Sequence, residues 1–134
     1  MIKEEGPFDG ILGFSHGATL AMMFLLQHAE KNPIEPPWSL CGCAIFIAGP
    51  SPFSDNGRRL EADEGGKMLR IPTVHIMGNE DVLYADALKL YGLCDKDGAT
   101  LLVHEKGHVI PRDRATVGRI AKAIKDLRGK MVVI

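Results

Sequence analysis

The most constraining feature of this chain is a strand that passes into a helix with almost nothing between them. Residues 8–13 form a short apolar run, and residues 18–30 are built from good helix formers, apolar on nearly every face until Gln27. Only Phe14-Ser15-His16-Gly17 separate the two, with Gly13 closing the strand. The rest of the chain repeats the order. Residues 43–48 are a continuous apolar strand stopped by Gly49-Pro50, and residues 73–77 are a third strand ended by Gly78-Asn79. Residues 83–93 read as a helix, 99–104 as a fourth strand, and 113–128 as a last helix with Gly129 as its stop. Strands apolar on both faces need cover on both sides, and strands alternating with helices imply parallel pairing through crossovers. The expected fold is therefore α/β, a parallel sheet flanked by helices in three αβα layers. Four strands are few for such a sheet.

Two of these helices carry sharper expectations. The helix at 18–30 should pack centrally, covered on most sides. The last helix should bury the face bearing Val117, Ile120, Ala121, Ile124 and Leu127, with Arg119, Lys122, Lys125 and Asp126 elsewhere. Residues 51–70 are the least regular part, polar and rich in glycine at Gly65-Gly66. A connection this long suggests a lid or a substrate-facing insertion.

Length and composition remove several classes of function. With 134 residues the chain has room for one domain, expected to span 1–134. Its net charge is −1 with Lys and Arg spread along it, so neither a nucleic-acid footprint nor a polybasic membrane patch is expected. No apolar run reaches the roughly 18 residues that span a bilayer. Met1-Ile2-Lys3-Glu4-Glu5 has no signal-peptide core, which points to a cytoplasmic protein. Cys41, Cys43 and Cys94 lack zinc-type spacing, and Cys41-Gly42-Cys43 alone would need two more ligands. A buried thiol at Cys43 is the expectation, in a reducing compartment, with no metal and no cofactor.

Gly13-Phe14-Ser15-His16-Gly17 has the form G-x-S-x-G. On a strand-to-helix turn that spacing forces the central serine into strained backbone and lifts its hydroxyl clear of the sheet edge. Small residues two positions to either side prevent collision across the turn, which Gly13 and Gly17 satisfy. The helix N-terminus behind Ser15 favours developing negative charge. The pattern predicts Ser15 as a nucleophile, against the plainer reading of a glycine-rich turn without chemistry.

A hydroxyl needs an oriented imidazole to take its proton, and in this architecture the acid and then the histidine follow later strands. The loop after 73–77 offers Glu80 and Asp81; the loop after 99–104 offers Lys106-Gly107-His108. Asp81 is the better acid, because a Gly-x-x-Asp turn aims it back over the sheet edge, and Glu80 is its reserve. His108 is the expected base. His104 reads as a core or rim histidine, His75 as interior to its strand, and His28 as late in its helix. His16 adjoins the nucleophile too closely for its ring to serve, although its backbone N–H can face an oxyanion.

With these residues in hand, the chain resembles the fungal and animal serine hydrolase family often called FSH. That family includes the ovarian-cancer-gene-2-like proteins and the product-releasing thioesterases of fungal polyketide pathways. The matching stretches are residues 6–18 (Gly6-Pro7-Phe8-Asp9-Gly10 leading into the serine turn), residues 71–81 (Ile71-Pro72-Thr73 to Glu80-Asp81) and Gly107-His108-Val109-Ile110-Pro111. The resemblance implies an α/β-hydrolase-type sheet and a triad of Ser15, Asp81 and His108, with the His16 amide in the oxyanion hole. It also implies a small ester or thioester substrate. His16 stands where the family more often has Gln, and Lys106 where a second glycine commonly precedes the histidine. Family members carry further strands before the nucleophile strand, so the chain is expected to be a partial, N-terminally shortened sheet. Its exposed apolar edge could pair two copies into a homodimer. Phe14, Pro50 and Phe53, with Met68 nearby, are the expected walls of an acyl pocket. Two other readings stay open here: a non-catalytic remnant serving as an interaction module, and an acyltransferase using the same serine.

Overall fold

The structure, a computed structural model, describes residues 8–62 and 69–131. Gly6-Pro7, Gly65-Gly66 and Met68, all used in the reading of the sequence, lie outside that range. Four strands, β1 (Phe8–Phe14), β2 (Cys41–Ile47), β3 (Thr73–Gly78) and β4 (Ala99–His104), form one parallel sheet in the order β1-β2-β3-β4. The helices are α1 (His16–Lys31), α2 (Tyr84–Gly92) and α3 (Arg114–Lys130). The register pairs Phe14 with Ile47, Ile47 with Ile76 and Gly78 with His104. The four strands therefore finish along one rim.

Alternation along the strands divides the interior in two. Ala44 and Phe46 of β2 face Ala18, Met22 and Leu25 of α1 and Leu90 of α2. Cys43 and Ile47, one residue out of step, face the other way with Val74 and Ile76, against Ala123 and Leu127 of α3. This period of two makes the sheet the middle of three layers. Full burial of side chains such as Phe46, Met22, Ile76 and Leu90 contributes about 1.5–3 kcal/mol each. Cys41, Cys43 and Cys94 are buried and unpaired, and burial pushes the Cys41 and Cys94 thiols up to about 11 and about 12. They stay protonated and poorly reactive.

Three expectations about packing need correction. α1 starts two residues earlier than expected, at His16, and is covered on one side only: Leu20 is 51% exposed and Phe24 38%. Leu12 of β1, at the edge of the sheet, is exposed on the opposite face, level with Ile45. In α3 the buried stripe is Thr116, Ala123 and Leu127 with Ile120 partly covered, whereas Val117 and Ile124 are exposed. The helix carries two apolar stripes about one position apart, and the sheet selects the one that continues from its N-cap. There the Asp113 carboxylate accepts the Thr116 N–H at 2.9 Å. No helix among the described residues is long and apolar enough to cross a membrane.

Candidate active site

The turn between β1 and α1 holds Ser15 at φ 56°, ψ −121°, a region that costs a non-glycine residue about 1–3 kcal/mol. Neighbouring backbone enforces it. The Ser15 N–H donates to the Ile47 carbonyl at 2.8 Å, and the Ser15 carbonyl accepts from Ala18 at 3.0 Å and Thr19 at 3.3 Å. Gly13 is obligatory: a Cβ there would lie 2.6 Å from the Gly17 oxygen and the Ala18 Cα. Gly17 is not, since a Cβ there would meet nothing within 4 Å. The expected symmetry of small neighbours fails because position 17 opens outward, and the steric demand falls on position 13 alone.

Asp81 follows β3 through a tight turn in which its N–H donates to the Gly78 carbonyl at 3.1 Å. One carboxylate oxygen, Oδ1, accepts the Leu83 N–H at 2.8 Å, an Asx turn that opens α2 and fixes the side chain. The other, Oδ2, lies 2.6 Å from His108 Nδ1, and the Asp81 side chain is only 2% exposed. His108 Nε2 in turn lies 2.7 Å from Ser15 Oγ. Groups 93 and 27 positions apart in sequence thus form one hydrogen-bonded chain. A carboxylate on Nδ1 selects the tautomer protonated there, so Nδ1–H donates to Asp81 and the Nε2 lone pair accepts the serine O–H. Carboxylate and imidazole differ in access: Asp81 is buried, whereas the His108 side chain is 35% exposed and open to a ligand or water.

The competitors lie elsewhere. Glu80 is exposed, and its backbone N–H donates to the Lys106 carbonyl at 3.1 Å. His75 is buried between Phe46 and Tyr91 with Nε2 on the Thr73 hydroxyl, and burial holds its value down at about 3. His28 bonds Ser39 at 3.2 Å. His104 is buried, with Nδ1 accepting the Lys106 N–H at 3.1 Å. The His16 ring is exposed, while its N–H, the first of α1, is one the helix itself leaves unused.

Gly78, which ends β3 and opens the Gly-x-x-Asp turn, has a second part in the site. A Cβ there would collide with the Lys106 carbonyl and come within 2.5 Å of the Gly107 oxygen and 2.6 Å of His104 Cε1. The missing side chain lets the loop bearing His108 close onto the turn bearing Asp81.

The three expected pocket residues separate. Phe14 touches the site, with its ring centroid 5.4 Å from that of His108. Pro50 is buried and contributes its carbonyl to the Thr19 hydroxyl at 2.6 Å. Phe53 is 61% exposed under the Arg59 guanidinium. It lines a cleft of about 560 Å³ with Met23, Leu26, Gln27 and Leu60, a cleft whose walls include none of Ser15, Asp81 and His108.

Comparison with known proteins gives the family. The family described as serine hydrolase (FSH1) matches residues 1–120. The chain is 38% identical over 130 residues to hydrolase phiM of a fungal species, covering 94% of this chain and 61% of that protein. It is 36% identical over 141 residues to esterase FPY3 of Fusarium mangiferae, covering 98% and 62% respectively. The chain thus spans about three-fifths of the length of these relatives. Among solved structures, the monoacylglycerol lipase of Paleococcus ferrophilus superposes with a TM-score of 0.62 at 13% identity, over 96% of this chain and 71% of that one. At that identity the likeness concerns the fold, a parallel sheet between helices. On the family match and the relatives together, this chain belongs to the FSH1 family of serine hydrolases.

Proposed function

We propose that the chain hydrolyses carboxylic esters or thioesters of small molecules, with Ser15 as nucleophile, His108 as general base and acid, and Asp81 as the group that orients the imidazole. The observation that carries this is the unbroken chain from Ser15 Oγ through His108 to Asp81, at 2.7 and 2.6 Å. As Ser15 Oγ bonds to the substrate carbonyl carbon, its proton passes to His108 Nε2. Asp81, already on Nδ1, stabilises the imidazolium that forms. The carbonyl oxygen becomes an oxyanion, which accepts a hydrogen bond from the His16 N–H at the head of α1. Collapse breaks the bond to the leaving alkoxide or thiolate, which takes the proton from Nε2 and leaves an acyl ester on Ser15. Water then repeats the sequence and frees the acid. The name of the esterase relative supports the ester class, and the thioester follows from the shared acyl-enzyme.

The strained turn supports the same reading, since strained backbone beneath a hydroxyl bonded to an imidazole suits a nucleophile held ready. Purified chain should hydrolyse p-nitrophenyl acetate or a short acyl thioester, and a fluorophosphonate probe should add to the peptide containing Ser15. Labelling that persists undiminished in Ser15→Ala, or a folded wild-type chain that neither labels nor turns over, would defeat the proposal.

A further inference from the structure

We infer that His104 is a positioning residue whose ring nitrogen Nδ1, by accepting the Lys106 N–H, sets the loop that presents His108 to Asp81. The inference rests on the hydrolase reading above and assigns a group that reading leaves out.

His104 ends β4 four residues before His108. Two backbone hydrogen bonds join its loop to the turn carrying Asp81, and a third, from its ring, folds the loop between them. The His104 carbonyl accepts the Asn79 N–H at 2.9 Å, His104 Nδ1 accepts the Lys106 N–H at 3.1 Å, and the Lys106 carbonyl accepts the Glu80 N–H at 3.1 Å. Asp81 follows this zipper by one residue and His108 by two. The ring itself lies against Gly78, where a Cβ would come within 2.6 Å of His104 Cε1. The imidazole therefore sits at the hinge of both loops and bends the second one back towards the first.

A purely structural role explains this residue poorly. Because Nδ1 accepts, the ring proton is on Nε2, and that atom is buried with no hydrogen-bond partner among the described residues. A buried donor without an acceptor is a net cost, and an apolar side chain of similar size would avoid it. What an apolar residue could not supply is the acceptor at Nδ1. Burial, together with the positive charge of Lys106, pushes His104 below the ordinary histidine value and keeps that acceptor neutral and available. Asp113 and Asp81 act in the opposite direction and Arg119 in the same one, but burial dominates.

His104→Asn and His104→Leu make the test. Asn Oδ1 can occupy the position of Nδ1; leucine fills space and accepts nothing. Misplacing a catalytic group by about 1 Å costs about 100-fold. His104→Leu should therefore lose about 30- to 100-fold in kcat with little change in KM and no loss in Tm, and His104→Asn should stay within about threefold of wild type. Equal damage in both variants, or an unimpaired His104→Leu, would overturn the assignment. A second readout needs no turnover. Ring ¹⁵N shifts of wild type should show His104 protonated on Nε2 and His108 on Nδ1, and His104→Leu should weaken the preference at His108. A wild-type His104 protonated on Nδ1, or unchanged His108 shifts in His104→Leu, sinks the inference. Wild-type chain with the expected shifts and no hydrolysis would instead sink the hydrolase reading alone.

Discussion

The rim bearing Asp81 and His108 and the segment at 51–61 both hang from strand ends, yet the first is two loops bonded to each other and the second is one loop bonded mostly to itself. The rim is joined by backbone: Asn79 to His104, Glu80 to Lys106, Asp81 to Gly78, with Gly78 removed as an obstacle. The 51–61 segment closes mainly on itself, with backbone bonds from Leu60 to Pro52 and from Ser54 to Arg58. Ser51 bonds the Asp86 carbonyl, Leu60 is buried, and one long side chain adds further ties. Arg59 donates to the Ser51 carbonyl at 2.9 Å, lies 4.2 Å over the Phe53 ring and faces Asp86 at 3.6 Å. Backbone fastening fixes positions to a few tenths of an ångström and depends little on salt. The part-exposed ion pair and cation–π contact of Arg59 contribute about 1 kcal/mol or less each and fix geometry less closely. Catalytic geometry belongs on the first kind of support; the wall of an open cleft tolerates the second.

Substitutions should separate the two regions by orders of magnitude. Ser15→Ala should lower kcat by about 10⁶-fold, and Asp81→Asn by about 10⁴-fold through the wrong imidazole tautomer, both read as steady-state ester hydrolysis. Gly78→Ala touches no reacting group, yet the added methyl must push the Lys106 carbonyl aside. It should cost about 100-fold in kcat and about 1–3 kcal/mol in a urea unfolding series. A Gly78→Ala protein with wild-type activity would break the comparison on the rim side.

Acid probes the interior beneath both regions. His75 titrates at about 3 when folded against an ordinary 6.5, because burial disfavours its cation. Between those values the unfolded chain binds a proton that the folded chain refuses. Stability from this residue is complete above pH 6.5 and declines as pH falls towards 3. His75→Gln should flatten the fall of Tm across that window, and an unchanged slope would remove His75 as its cause. The smallest effect is expected from Arg59→Ala: about 1 kcal/mol or less of stability and kcat within about twofold. If Arg59→Ala hurt kcat as much as Gly78→Ala, the 51–61 segment would have to be counted as part of the catalytic frame.

What could be seen in the sequence follows the same division. The strand-to-helix junction at Ser15, the strand-ending turns before Asp81 and His108, and the parallel order were legible because each is set by residues adjacent in the chain. Contacts across the fold were not. Gly78 reads as a strand end and the opening of the Asp81 turn, and its contact with the other loop shows only once the Lys106 carbonyl is seen against it; Gly17 reads as a steric necessity until the open space beside it is seen. The buried stripe of α3 could not be chosen from periodicity, since Val117 and Ile124 fit a helical pattern as well as Thr116 and Ala123 do. Phe53 looked like a pocket wall from its place after β2, but its ring packs under Arg59 beside a cleft whose lining omits the serine.

Whether Ser15, His108 and Asp81 act as one unit can be read from the rate of fluorophosphonate addition to Ser15 in wild type, Asp81→Asn, His108→Ala and the double variant. If the carboxylate works only through the imidazole, the double variant will label no more slowly than His108→Ala alone. Penalties that multiply in the double variant would mean that Asp81 acts by another route, and the hydrogen-bonded chain would lose its place as the source of the chemistry.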